Sequence, residues 1–343
     1  MFVTDLESRR NKIVELIIEV YIETGIPVSS RTISNKFRLG LSPATIRNVM
    51  ADLEEAGLIT HPHTSAGRIP TERGYRFYVN KLMQAKQLTI NEKNRIKLEF
   101  EVLNKELEEV ISKASRILSL ISSQTGIILF PCLRESAFSR LELLPVEHRQ
   151  ILVVLLTKSG ITKDFVLDFP EEINGDELSK ITKFLNGEFG NMPLGQIKRQ
   201  ITNRLLQERG SFFYILEKTN EIIDRLINSI DIARLHFEGT SYILDKPEFN
   251  NLDKARGVIR VLEDQSFILD ILQKDLGTDG VKIHIGMESG FDELKECTLI
   301  TCNYKIKGDN CGSLGVIGPL RMEYSRMVSL VDYVSGVLSQ IFS

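Results

Sequence analysis

The sequence predicts an α+β fold with a helix-turn-helix near its N-terminal end, and three observations predict it. Residues 29–71 read as helix, turn, helix, strand, loop and returning strand. Strand-like runs fill 126–169 and resume at 282–317. Between them, 171–274 carries apolar residues at helical spacing. Strands, a helical block and strands again suit a helical insertion in one antiparallel α+β domain, and suit two adjacent domains equally.

The second helix of the N-terminal unit is the best marked. Ser42 is placed to cap it, and Pro43 follows at the first helical position, where a missing N–H costs nothing. Ile46, Val49, Met50 and Leu53 fall at i, i+3, i+4 and i+7, one buried stripe. Gly57 ends the helix as the left-handed residue after its last turn. Its outward face carries Ala44, Thr45, Arg47 and Asn48 first, then Asp52 and Glu55. That polarity suits a recognition helix entering a major groove by its N-terminal end. Arg and Asn have donors for guanine and adenine edges, while the later carboxylates are repelled by phosphate. An ordinary amphipathic helix with a solvated face is the plain alternative. Leu58–Thr60, the loop from His61 to Gly67 and the return Arg68-Ile69-Pro70 complete a winged helix-turn-helix.

Candidate DNA contacts follow from this layout. They are Ser29, Ser30 and Arg31 at the preceding helix, and Ser42, Ala44, Thr45, Arg47 and Asn48 on the recognition helix. His61, His63, Thr64, Ser65 and Arg68 join them from the wing, where such side chains lie along phosphates or reach a minor groove. His61 and His63 flank a Pro with no sequence-near Cys or carboxylate, so no metal is expected there. Ile13, Leu16, Ile17 and Val20 form the stripe of a first helix that opens at Thr4 and Glu7 and ends at Gly25. Ile33 and Phe37 face inward from the next. Thr71 caps a fourth helix with Tyr75, Tyr78, Val79 and Leu82 on its packing face. The head so built has one small core and no evident spare apolar face.

The 343 residues suggest two to three domains. A hydrophobic content of 42% with 26% charged residues is ordinary for a soluble globular protein. The longest aliphatic run, Ile151–Leu156, is far too short to cross a bilayer. No signal peptide is visible in MFVTDLESRR. Cys132, Cys297, Cys302 and Cys311 form no CxxC pair and match no common zinc spacing; they read as reduced thiols of a cytosolic protein. The net charge of −3 excludes a general polycation. Residues 1–90 hold 12 Lys and Arg against 9 Asp and Glu, a net +3, while the remainder holds 31 against 37, a net −6. A mildly basic head on an acidic body fits a DNA-reading module on a regulatory body.

Farther along, Thr89 and Glu92 repeat the capping-box spacing. Ile96, Phe100, Leu103, Leu107, Val110, Ala114, Ile117 and Ile121 then alternate four and three apart, predicting one long helix. It serves either as a dimer seam or as a helix packed on its own domain's sheet. Strands are predicted at 126–130, 138–144, 150–156 and 161–169, the last two joined by Lys158-Ser159-Gly160. Another short strand is predicted at Thr240–Leu244, inside the helical block. Later strands are expected at 282–285, 298–306 and 313–317, with a turn at Gly308-Asp309-Asn310. Met327, Leu330, Val334, Val337 and Ile341 mark a final helix.

No catalytic motif stands out: GxSxG, P-loop and HExxH are absent from the sequence. His284, near Glu288 at a strand end, reads as structural, as do His148 and His236. Neither an enzyme nor a cofactor is expected.

The run SPATIRNVMADLEEAGLI, followed by HTSAGRIPTERGYRFYV, resembles the head of HrcA, the heat-inducible transcription repressor family of bacterial chaperone operons. GSLGVIGPLRMEYSRMVSLVDYV extends the resemblance to essentially the whole chain. The resemblance implies a cytoplasmic homodimer that binds double-stranded DNA at an inverted repeat called CIRCE, has no membrane contact, and has activity modulated by the GroE chaperonin. It also implies a winged-helix head (1–89), a discontinuous GAF-like antiparallel α+β domain (90–170 and 275–343) and an inserted helix-rich dimerisation domain (171–274). The alternative is the same head switched by a small molecule in the GAF-like domain, for which the sequence offers no pocket signature.

Overall fold

The computed structural model describes residues 6–37, 39–63, 66–101, 107–131, 137–146, 149–158, 160–210, 212–230, 234–307 and 309–343. Thr4, Thr64, Ser65, Leu103, Cys132, His148, Ser159, Ala233 and Gly308 lie outside them. Helices α1 (Leu6–Thr24), α2 (Ser30–Lys36) and α3 (Pro43–Glu55) build the head. Ile13, Ile17, Ile33, Ile46 and Leu53 are fully buried between them, so the predicted stripes do face one core. Strands β1 (Ile59–Thr60) and β2 (Ile69–Pro70) pair antiparallel, and Val28 bridges Arg68 as a third short segment. Helix α4 (Glu72–Phe77), capped by Thr71, packs on the wing so closely that a Cβ on Gly74 would stand 2.0 Å from the Leu58 carbonyl oxygen.

The predicted capping box opens α5 (Ile90–Glu101): Thr89 Oγ1 accepts from the Glu92 amide at 3.2 Å, and the Glu92 carboxylate accepts from the Thr89 amide at 2.9 Å. The single long helix does not form. A second helix, α6 (Leu107–Ser122), lies beside α5, and Lys113 Nζ reaches Glu99 Oε2 at 2.6 Å. On one straight helix those residues would stand roughly 21 Å apart. The apolar seam instead folds on itself, burying Ile96 and Phe100 in one cluster with Val110, Ile111 and Ala114.

Two sheets follow, where the sequence order left one domain and two adjacent domains equally open. β3 (Thr125–Leu129), β7 (Leu235–Glu238), β8 (Lys282–Ile285), β9 (Cys297–Ile306) and β10 (Asp309–Pro319) form an antiparallel sheet in the order β7-β3-β10-β9-β8. β4 (Phe138–Pro145), β5 (Gln150–Thr157) and β6 (Thr162–Asp168) form a separate three-stranded sheet in the order β4-β5-β6. Their inward residues Leu141, Val153, Leu155 and Leu167 share a core with α7 (Gly175–Phe189), α8 (Leu194–Gln207) and α9 (Phe213–Ser229). Alternating burial along β5 satisfies that core as well as it would any other, and a strand's pattern does not say which sheet it joins.

The five-stranded sheet is covered on both faces. Ile128, Ile300, Tyr304, Leu314 and Val316 meet α5, α6 and the last helix, α13 (Tyr324–Ile341). Ile127, Leu129, Leu299 and Ile317 meet α10 (Thr240–Leu244), α11 (Leu252–Glu263) and α12 (Ser266–Asp275). Thr240–Leu244 is therefore helix rather than strand. Gly239, at φ +67°, turns the chain against α6, where a Cβ would lie 1.8 Å from Ser119 Oγ. The strand ends before that turn, and the next residues pack as one helical turn with Ile243 buried.

The head is joined to this sheet domain by one continuous buried cluster, which contradicts the expectation of a head without a spare apolar face. The Tyr75 and Tyr324 rings stand 5.5 Å apart. Arg321 donates to the Ile22 carbonyl at 2.8 Å and to Glu248. Arg76 binds Glu288 (Nε to Oε1, 2.7 Å) and the Ile283 carbonyl, and the Met287 amide donates to Glu72 at 3.1 Å.

Helix α6 crosses β3 at Gly126, where a Cβ would lie 2.1 Å from the Ser115 carbonyl oxygen. Gly126→Ala should therefore lower stability by about 1–3 kcal/mol through overpacking, read from the urea midpoint. An unchanged midpoint would mean that α6 does not lie on β3.

Candidate nucleic-acid interface

The sequence sets both ends of α3. Ser42 Oγ accepts from the Thr45 amide at 3.1 Å, and the two hydroxyls lie 2.9 Å apart. At the other end, the Leu58 amide bonds Leu53 O at 3.0 Å and the Gly57 amide bonds Glu54 O at 2.9 Å. With Gly57 at φ +71°, this is the Schellman arrangement, and it requires the left-handed residue. Burial of Ile46, Val49, Met50 and Leu53 rotates Ala44, Thr45, Arg47 and Asn48 outward, where all four are exposed. Arg47 makes no ion pair among the described residues, so its guanidinium is available to an outside acceptor.

Helix α2 is capped in the same way, with Ser29 Oγ accepting from the Thr32 amide at 3.1 Å. Arg31 beside it is exposed, but Ser30 is 7% exposed and packs inward, contrary to its expected place on the outer surface. In the wing, His63 is exposed, while Thr64 and Ser65 lie outside the described residues. His61 and Arg68 are placed otherwise than a free loop tip would place them. Both bind the Glu54 carboxylate: His61 through Nδ1 at Oε1, and Arg68 through Nη2 at Oε2, 2.8 Å away. Arg68 is also paired through its backbone, its amide and carbonyl each meeting Val28 at 2.8 Å. Sequence reasoning missed Glu54. Its signal was a carboxylate in the last turn of the recognition helix, opposite a wing that carries one His and one Arg.

Among the described residues no group of three or more His, Cys, Asp or Glu is arranged to hold a metal, and no helix is long and apolar enough to cross a membrane. Burial pushes the Cys297 thiol up to about 12 and raises Cys302 as well, so neither is a ready thiolate. Glu288 is the body's anchor for Arg76, and His284 Nε2 meets Asp275 at 2.7 Å; both are structural.

A capped recognition helix with an exposed polar N-terminal half and an attached β-wing defines a winged-helix DNA-binding protein. Residues 5–84 match the family model "Winged helix-turn-helix transcription repressor, HrcA DNA-binding", and 108–328 match "HrcA protein C terminal domain". The chain belongs to the HrcA family of heat-inducible transcription repressors, which are not enzymes. It is 38% identical to the heat-inducible transcription repressor HrcA of Syntrophobacter fumaroxidans over 341 residues, covering 98% of each chain. It is 36% identical to that of Pelotomaculum thermopropionicum, covering 98% of this chain and 97% of that one. The crystal structure of a hypothetical protein at 2.2 Å resolution shares the fold, with a TM-score of 0.60 at 25% identity, over 97% of this chain and 98% of that chain.

The hydrogen bond from His61 is the largest influence on the Glu54 carboxyl and holds it below its ordinary value of 4.5; burial opposes this and Arg68 reinforces it. A carboxylate so depressed contributes stability in full above its unfolded value, and the contribution fades as pH falls through the lower folded value. The melting-temperature gap between wild type and Glu54→Gln should close as the solution is acidified below about pH 5. A gap that widens on acidification would contradict the Glu54 network.

Proposed function

We propose that the protein represses chaperone operons as a homodimer, placing α3 of each copy in a major groove of an inverted-repeat CIRCE operator. The observation that carries this reading is the exposed N-terminal half of α3, with Arg47 and Asn48 turned outward. Ala44 and Thr45 lie beside them, small enough to let the helix approach base edges closely. Arg31 and His63 flank this surface from α2 and the wing as backbone contacts. A short helix reads few bases, and a two-fold dimer doubles the number.

The sheet pairings support a division into a head (1–89), a body built on the five-stranded sheet, and an insert. They favour an insert from about residue 137 to 230, carrying β4–β6 and α7–α9, over the 171–274 drawn from sequence. Activity is further proposed to depend on GroE chaperonin. Leu129 of β3 pairs with Ser313 of β10, a closure spanning more than half the chain, and such pairing is slow and leaves apolar strands exposed meanwhile.

Footprinting on genomic fragments tests the operator, with a protected inverted repeat as the expected result. Arg47→Ala should then cost about 1–3 kcal/mol of specific binding and relax preference at one base pair per half-site. Unchanged affinity and selectivity would remove α3 from the groove. Sedimentation of the full-length protein should show a dimer. Heating and cooling, followed by titration with operator DNA, should recover more active protein with chaperonin and nucleotide than without. Complete unaided recovery would sink the chaperonin dependence.

A further inference from the structure

Glu54 stands two turns after Arg47 on the same side of α3, at the i+7 position and roughly 10 Å farther along the axis. A bare carboxylate there would repel phosphate. It is not bare. One oxygen holds His61, the residue just after β1, and the other holds Arg68 Nη2 at 2.8 Å, the residue just before β2. A single carboxylate therefore grips both strands of the wing at their tip-proximal ends. Arg68 is fixed from behind as well. Its amide and carbonyl both pair with Val28, and Gly67 lies so close to Pro27 that a Cβ would stand 2.6 Å from the Pro27 carbonyl oxygen. The Arg68 side chain is only 26% exposed and its Nε is buried, so the guanidinium points toward α3 rather than out along the loop.

We propose that Glu54 is a positioning residue for DNA binding: by bridging His61 and Arg68 it fixes the angle of the wing to the recognition helix, and Arg68 serves this brace rather than a phosphate. The inference rests on the winged-helix reading of operator binding, and it makes a prediction opposite to simple electrostatics. Removing a carboxylate from a DNA-facing side should tighten binding to every DNA sequence. Removing a brace should instead weaken binding selectively, because only the operator complex needs α3 and the wing engaged together.

Two measurements on the full-length protein decide it. Without DNA, hydrogen exchange should show faster exchange of the Val28 and Arg68 amides in Glu54→Gln and in Arg68→Ala, with the α1 and β9 amides unchanged. With DNA, Glu54→Gln should bind the footprinted inverted repeat about 5- to 10-fold more weakly, the scale of one partly exposed ion pair and one side-chain hydrogen bond, while binding to a scrambled duplex holds or tightens. Arg68→Ala should leave the salt dependence of operator binding unaltered. Equal tightening on both duplexes in Glu54→Gln would show that the carboxylate merely repels DNA. A salt slope reduced by about one per half-site in Arg68→Ala would make Arg68 a phosphate contact. Either result overturns the brace, as does unchanged exchange of Val28 and Arg68. Failure of wild type to protect any inverted repeat would remove the operator reading instead, and the exchange experiment would still decide whether the brace exists.

Discussion

Residues Thr125–Leu129 of β3 pair antiparallel with Ser313–Ile317 of β10, and everything packed on the five-stranded sheet depends on that seam. β3 sits between β10 and β7, so losing the seam would separate β7-β3 from β10-β9-β8. Both faces would open at once. Ile128 belongs to the cluster under α6 and α13, whereas Ile127 and Leu129 belong to the one under α10–α12. The three-stranded sheet has no such dependence. Its pairs lie within 138–168, and its core is completed by the helices that follow directly. One chain thus contains a unit held by local contacts inside a unit that must close around it.

The head inherits the same dependence. Its core is continuous with the cluster on one face of the five-stranded sheet, and Tyr75 of α4 packs on Tyr324 at the start of α13. Arg321 reaches back to the Ile22 carbonyl, and Arg76 reaches forward to Glu288 and the Ile283 carbonyl on edge strand β8. Salt bridges exposed to water are weak. These guanidinium groups are partly buried and also bind backbone carbonyls, whose positions exist only while the local fold does. The orientation of α3 is therefore a property of the whole sheet domain rather than of a hinged module.

How much of this was legible follows from the range of each signal. Helix α3 was legible because its determinants lie within sixteen residues: Ser42, Pro43, the stripe of Ile46, Val49, Met50 and Leu53, and Gly57. The α5–α6 pair was half legible. Heptad spacing found the apolar residues, and it is blind to a reversal that brings Glu99 to Lys113. Strand partnership was not legible at all, since alternation in β5 shows one buried face and says nothing of what covers it. Thr240–Leu244 misled because Thr, Tyr and Ile favour strands, while the deciding contact, Gly239 against Ser119, is made by residues far apart in sequence. For the same reason Arg68 looked like a free wing arginine: its partner Glu54 belongs to another element, and a sequence shows charges without their neighbours.

These two couplings act at different distances from the operator. Within the head, the Glu54 carboxylate joins α3 to the wing across a single turn of structure, so it sets the shape of one recognition unit. Between head and body, Tyr75, Arg76 and Arg321 set where that unit points. An inverted repeat demands both, because two correctly shaped heads at the wrong separation engage only one half-site. On the proposed reading, an influence on the body reaches DNA only by changing contacts that differ between two arrangements of the chain. The β8 edge is where such a change would act first. Ile283 lies in an edge strand with one neighbouring strand, Glu288 lies in the helical turn that follows it, and both bind Arg76. Loosening of that edge would remove one of the ties that direct α3, leaving those of Tyr75 and Arg321 in place. On that reading, repression would end once the orientation of the head is freed, with its DNA-binding unit still folded.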